Sequence, residues 1–135
     1  MDLFSNPVMT VLKKGLDGGS LRQKVIANNI ANINTPNFKK STVAFESLLK
    51  KALGKDSFKM NTSDPRHIGG TPPLNELKPE INIDETTSMR TDGNNVDIDE
   101  EMTNLAANGI QYQATARQLS DRFSLLSYVI TGGRR

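Results

Sequence analysis

From Ile98 onward the apolar and small positions fall four and three residues apart without a break: Ile98, Met102, Leu105, Gly109, Tyr112, Ala116, Leu119, Phe123, Leu126 and Ile130. A strict seven-residue repeat draws one narrow seam along a helix, the pattern of a helix that packs lengthwise against another helix. Asp97, with Glu100 three residues later, supplies a capping-box start, and Asp99 and Glu101 suit the positive end of the helix dipole. Gly132-Gly133 stops the helix.

The N-terminal part repeats the pattern. Met9, Leu12, Leu16, Gly19, Gln23, Ile26, Ile30 and Ile33 recur at spacings of three and four, and Val8, Val11 and Val25 widen the stripe. Asn6 is placed to cap this helix and Pro7 to occupy its first turn. At ~1.5 Å per residue the two helices run roughly 35–50 Å, and their seams predict that they pack on each other. The weak point is Gly18-Gly19-Ser20, because each glycine within a helix costs ~1 kcal/mol. Continuity held by packing is the expectation there; a kink is the alternative.

The middle, residues 37–95, is irregular and rich in Pro, Ser, Thr, Asn and Lys. Ser41 to Leu53 reads as a short helix with Phe45, Leu48, Leu49 and Ala52 on one side. Ile68 to Pro73 reads as a loop. Glu80 to Asp84 alternates around Ile81 and Ile83, a faint strand signal, and Thr91 to Asn95 is turn-forming. The expected fold is therefore mainly α: long N- and C-terminal helices packed as a coiled coil, with an irregular middle holding a short helix and a small β element. One structural unit is divided as 1–36, 37–95 and 96–135.

Composition narrows the function. A hydrophobic fraction of 36% with 5% aromatic and no Trp is lean for a compact core of this length, so either part of the chain is poorly ordered alone or its apolar surface is buried against other subunits. The net charge of +2 is too mild to argue for nucleic acid. Six lysines between Lys39 and Lys59, and nine acids between Glu76 and Glu101, form opposed blocks; the plain reading is solvated surface, and the sharper one is that they attract each other within or between subunits. The absence of cysteine excludes disulfides and thiolate chemistry and leaves export open. No apolar run approaches the ~18 residues of a membrane span, and MDLFSNPVMTVLKKG lacks the basic start and continuous apolar stretch of a cleaved signal peptide. His67 stands alone, the acids at 97–101 are explained by helix capping, and Gly69-Gly70 lacks the context of a phosphate loop. No catalytic, cofactor or metal residue is expected. What remains is interaction surface.

Within ANNIANINTPNF (27–38), Asn28, Asn29, Asn32 and Asn34 cluster where the apolar stripe is still running. Asparagine is poor in a helix interior because its amide competes for backbone groups. Asn32 and Asn34 can end the helix, Pro36 turns Thr35 away from helical geometry, and Pro36-Asn37 suits a tight turn because asparagine tolerates positive φ. Asn28 and Asn29 suit a contact fixed in register by hydrogen bonds; the plainer reading is that all four fray and cap a helix end.

ANNIANINTPNFKK resembles the N-terminal signature of the flagellar rod, hook and hook-associated axial proteins, with the pattern carried by Asn28, Asn29, Ile30, Ala31, Asn32, Thr35, Pro36 and Phe38. TSDPRHIGG at 62–70 and DGNNVDIDEEMTNLAANGIQYQATARQLSDRF at 92–123 extend the resemblance over most of the chain; Gly93, Asn95, Val96, Asp97, Glu101, Ala106 and Tyr112 carry its C-terminal part. Asn37 stands where that family usually has glycine. The short length resembles a proximal-rod member. The resemblance implies a non-enzymatic subunit exported through the flagellar type III apparatus without peptide cleavage. It implies terminal segments mobile in the monomer that become packed helices on assembly, in a periplasmic rod that transmits motor torque. Implied partners are further copies, other rod proteins, basal-body ring and rod-adaptor proteins and the export apparatus, with no nucleic acid and no cofactor. The expected assembly interface is Leu12, Leu16, Ile26, Asn28, Asn29, Ile30, Asn32, Ile33, Pro36 and Phe38 with Met102, Leu105, Tyr112, Leu119, Phe123, Leu126 and Ile130. The alternatives are another short rod subunit and a cytoplasmic coiled-coil adaptor.

Overall fold

The structure is a computed structural model and describes residues 7–53, 77–86, 88 and 90–133. The expected cap Asn6, the loop 68–73, His67 and Gly69-Gly70 lie outside the described residues. The elements in chain order are α1 (Pro7–Ala31), β1 (Ser41–Ala44), α2 (Glu46–Ala52), β2 (Glu80–Ile83) and α3 (Ile98–Ile130). The fold is mainly helical, as its sequence periodicity predicts.

α1 and α3 pack antiparallel along their lengths. Asn29 near the end of α1 meets Glu101 near the start of α3, Asn108 Nδ2 donates to the Gly19 carbonyl at 3.0 Å, and Gly15 lies against Thr115. α1 runs without a break through Gly18-Gly19. The reason is room: a Cβ on Gly18 would sit 2.8 Å from Phe45 Cγ, and one on Gly19 3.2 Å from Tyr112 Cδ2. The two glycines let a ring from each side approach the helix backbone, and that packing offsets their low helix propensity.

β1 and β2 form a two-stranded antiparallel sheet, with Ser41 opposite Ile83 and Ala44 opposite Glu80. The expected helix over Ser41 to Leu53 is thus corrected at its start. Ser41-Thr-Val-Ala is strand, with a β-branched pair suited to a pleated surface, and α2 begins at Glu46. Phe45 at the joint is 5% exposed. The expected strand at Glu80 is present, although Ile81 and Ile83 are both exposed. Among the described residues the apolar core is small: Met9, Val25, Ile26, Phe45, Leu77 and Val96. Lys14 Nζ donates to the Leu77 carbonyl at 2.9 Å, fixing the approach to β2 against α1. No helix among the described residues is long and apolar enough to cross a membrane.

Gly109 offers a contrast to Gly18, since a Cβ there would meet nothing within 4 Å. Gly18→Ala is expected to destabilise the chain by about 1–3 kcal/mol through overpacking, and Gly109→Ala to stabilise it by about 0.5–1 kcal/mol through helix propensity. Thermal melts followed by circular dichroism should show the two shifts in opposite directions.

Candidate assembly interface

Local chemistry sets the end of α1. Asn32 Nδ2 donates to the Asn28 carbonyl at 2.8 Å and Thr35 Oγ1 donates to Asn32 Oδ1 at 3.2 Å, so Asn32 closes the last turn. Asn37 takes φ 59°, the left-handed geometry expected of it. Gly93, at φ 79°, approaches Asn37 so closely that a Cβ would lie 2.6 Å from Asn37 Oδ1. Only glycine meets both demands.

The carbonyls beyond α1 receive a further donor from across the molecule. Asn94 Nδ2 lies 3.0 Å from the Asn32 and Ile33 carbonyls and 2.9 Å from that of Thr35, while its Oδ1 accepts from Val96 N–H at 2.7 Å. Asn95 Oδ1 accepts from Lys40 N–H at 2.6 Å and its Nδ2 donates to the Asp84 carbonyl at 2.9 Å. Its amide thereby bridges the end of the β1–β2 ladder. Asn29 Nδ2 donates to the Ser41 carbonyl at 2.8 Å and to Glu101 Oε2 at 3.0 Å, and its Oδ1 accepts from Ser41 N–H at 3.0 Å. Asn29, Asn94 and Asn95 are the largest fully buried side chains among the described residues.

Asp97 caps α3 as expected, accepting from the N–H groups of Asp99 and Glu100. The reciprocal half of the capping box is corrected: Glu100 pairs with Lys40 Nζ at 2.8 Å instead, one realised contact between the basic and acidic blocks. Arg22 holds Glu46 with one contact at 2.6 Å. Burial pushes the Glu46 carboxyl up, but hydrogen bonding from Arg22 and the backbone, together with the Arg22 charge, outweighs it and leaves the carboxyl below its ordinary value. No group of three or more His, Cys, Asp or Glu among the described residues could hold a metal ion.

The expected interface residues divide by burial. Ile26 and Asn29 are buried within the chain. Leu12, Leu16, Ile30, Asn32, Ile33, Phe38, Leu105, Leu119 and Leu126 are half-buried, and Asn28 and Pro36 are exposed. Met102, Tyr112, Phe123 and Ile130 are exposed at 52, 39, 50 and 69%. Glu101, Leu105, Asn108, Tyr112, Thr115 and Leu119 follow one face of α3 at heptad spacing, and the contacts named above put that face on α1. Ile98 and Met102 lie to its side and are exposed. Leu125, Tyr128, Val129 and Ile130, in the last turns of α3, are 56–69% exposed. By the antiparallel register those turns project past Pro7.

Comparison with known proteins bears on what these surfaces are for. The family described as flagella basal body rod protein matches residues 11–39, the segment holding the asparagine signature. The chain is 39% identical to the flagellar basal body rod protein FlgB of Bacillus subtilis over 134 residues, covering 99% of this chain and 100% of that protein. The chain belongs to the FlgB family. It is also 41% identical to the FlgB of Borreliella burgdorferi over 120 residues (85% of this chain, 89% of that protein) and 36% identical to the FlgB of Escherichia coli over 120 residues (83% and 84%).

Sequence pattern alone places Asn94 and Asn95 in a turn and Glu101 at the positive end of a helix, the resemblance to axial proteins adds Asn95 and Glu101, and neither singles out Asn108. The signal at Asn94 is a second asparagine pair, which by itself suggests no more than a turn.

Asn94→Ala is expected to cost about 1–3 kcal/mol, because the buried Val96 N–H loses its acceptor and three backbone carbonyls lose a second donor; chemical denaturation would measure it. For Glu46 the folded pKa is lowered, so its contribution is present above the unfolded value near 4.5 and fades as pH falls through the folded value. Glu46→Gln should therefore lower stability most near neutrality and make little difference once pH falls below the folded value, so that the acid limb below pH about 4.5 becomes shallower.

Proposed function

We propose that this chain is a structural, non-enzymatic subunit of the proximal rod, polymerising through α1 and α3. The observation that carries the reading is the relationship to FlgB proteins along the whole chain. The exposed apolar surface of α3 supports it. Contiguous apolar surface on a folded chain marks an interaction site, and the residues from Leu125 to Ile130 lie beyond the reach of the described part of α1.

In this reading the contacts between copies are head-to-tail, because an interface that does not close on itself is what builds a helical tube. The subunits cross the periplasm in a rod that transmits torque. They arrive through the flagellar type III apparatus without a cleaved signal peptide. Neighbours include other rod proteins and the ring and rod-adaptor proteins of the basal body. The interface takes in Leu12, Leu16, Ile30 and Ile33 of the first helix and turn, and Met102, Tyr112, Phe123, Leu126 and Ile130 of α3. Ile26 and Asn29 act by shaping the hairpin.

Mass spectrometry of basal bodies with hooks and filaments sheared away tests the reading, which requires peptides of this chain at rod-like abundance. Val129 is 64% exposed, so Val129→Asp should leave the chain at normal cellular levels while abolishing its incorporation and motility. Full motility of that strain would overturn the role given to the end of α3.

A further inference from the structure

Between α1, β1 and α3 lies a groove of about 300 Å³. Val25, Ile26 and Ala107 supply apolar wall, and Asn104 and Gln111 line the α3 side. Arg22 and Glu46, also among its lining, neutralise each other. Glu101 lines the groove too and is only 2% exposed. Asn29 Nδ2 donates to its Oε2 at 3.0 Å, and among the described residues no hydrogen bond reaches the other oxygen. The charged side chains lining the groove therefore sum to one negative charge, held by a buried and half-satisfied carboxylate.

A buried carboxylate calls for a cation or further donors. The apolar walls suit a methylene stem, which lysine and arginine bury while presenting a charged head. We propose that this groove receives a lysine or arginine side chain of an adjacent rod subunit, whose cationic head pairs with the free Glu101 oxygen. The inference rests on the rod assignment above and adds a specific contact to it. Two independent observations carry it: the cavity, and among its lining a polar side chain more than nine-tenths buried with an unused acceptor. Asn29 is thereby given a second task, since its amide holds the carboxylate in place for that contact.

The test uses two substitutions in the full chain, read in basal bodies by quantitative mass spectrometry. Glu101→Gln keeps an acceptor for Asn29 and removes the charge. Asn104→Lys, three residues on along α3 and exposed, sets an ammonium one turn from Glu101, where it can satisfy the carboxylate from within the chain. Both variants should accumulate in cells at wild-type levels and keep wild-type helix content, and both should fall roughly tenfold or more in incorporation, the scale of a lost interfacial charge pair. Wild-type incorporation of Glu101→Gln would overturn the proposal and leave the groove to water or a free amine. A loss of cellular level or helix content matching the loss of incorporation would overturn it in favour of a purely internal role. Absence of the wild-type chain from basal bodies would overturn the rod assignment itself, an outcome separate from both.

Discussion

The side-chain amide of Asn29 is the point at which three distant segments are forced to agree. It offers Ser41 both a donor and an acceptor, as a neighbouring strand would, and spends its remaining N–H on Glu101. Because the residue is fully buried, any slip of α1 against β1 or α3 would strand at least one of these groups without water to replace it. An unmatched buried polar group costs about 1–3 kcal/mol, a large share of the stability of a small fold. Register between the two long helices is thus set by hydrogen-bond matching more than by apolar shape. Asn94 extends the same logic to the turn after α1, and Asn95 to the end of the sheet.

This polar lock has a consequence for the surface. The face of α3 that meets α1 carries Glu101, Asn108 and Thr115 among its apolar residues, and the partners supplied by α1 include glycines and a backbone carbonyl. Small and polar contacts allow close approach but bury little apolar area. Ile98, Met102 and Phe123 are left at half exposure or near it, and the last turns of α3 more so. Internal packing and external adhesiveness come from the same division of residues around one helix, and the rod reading follows from that division as well as from kinship.

Much of this architecture is legible in the amino-acid sequence alone. The two long helices follow from period, the start of α3 from Asp97, and the positive φ at Asn37 from the Thr-Pro-Asn sequence, because each depends on neighbours within a turn or two. The features that escape the sequence depend on residues far apart in the chain. The heptad repeat sets Ile98, Met102, Gly109 and Ala116 on the seam with α1. The observed seam is rotated towards Glu101 and Asn108, and burial of those side chains makes sense only once Asn29 and the Gly19 carbonyl are known to face them. β1 carries a helix-like pattern for the same reason: its strand geometry comes from partners, with its Ser41 edge completed by a side chain of α1 and its other edge by β2.

The chemistry of the lock also bears on how such a chain can remain assembly-competent. Hydrogen bonds exchanged with water contribute only about 0.5–1.5 kcal/mol each, and an asparagine amide released from the interior is promptly rehydrated. A hairpin held in this way opens without leaving a stranded group, unlike one held by a large apolar seam, whose opening exposes surface in proportion to its strength. The asparagines therefore determine how α1 and α3 meet while contributing modestly to how firmly they stay together. The firmness has to come from apolar surface that this chain leaves uncovered, and in the rod reading a neighbouring subunit covers it. Specificity is then written within one subunit and stability between subunits, so that the ordered hairpin and the polymer become favourable together.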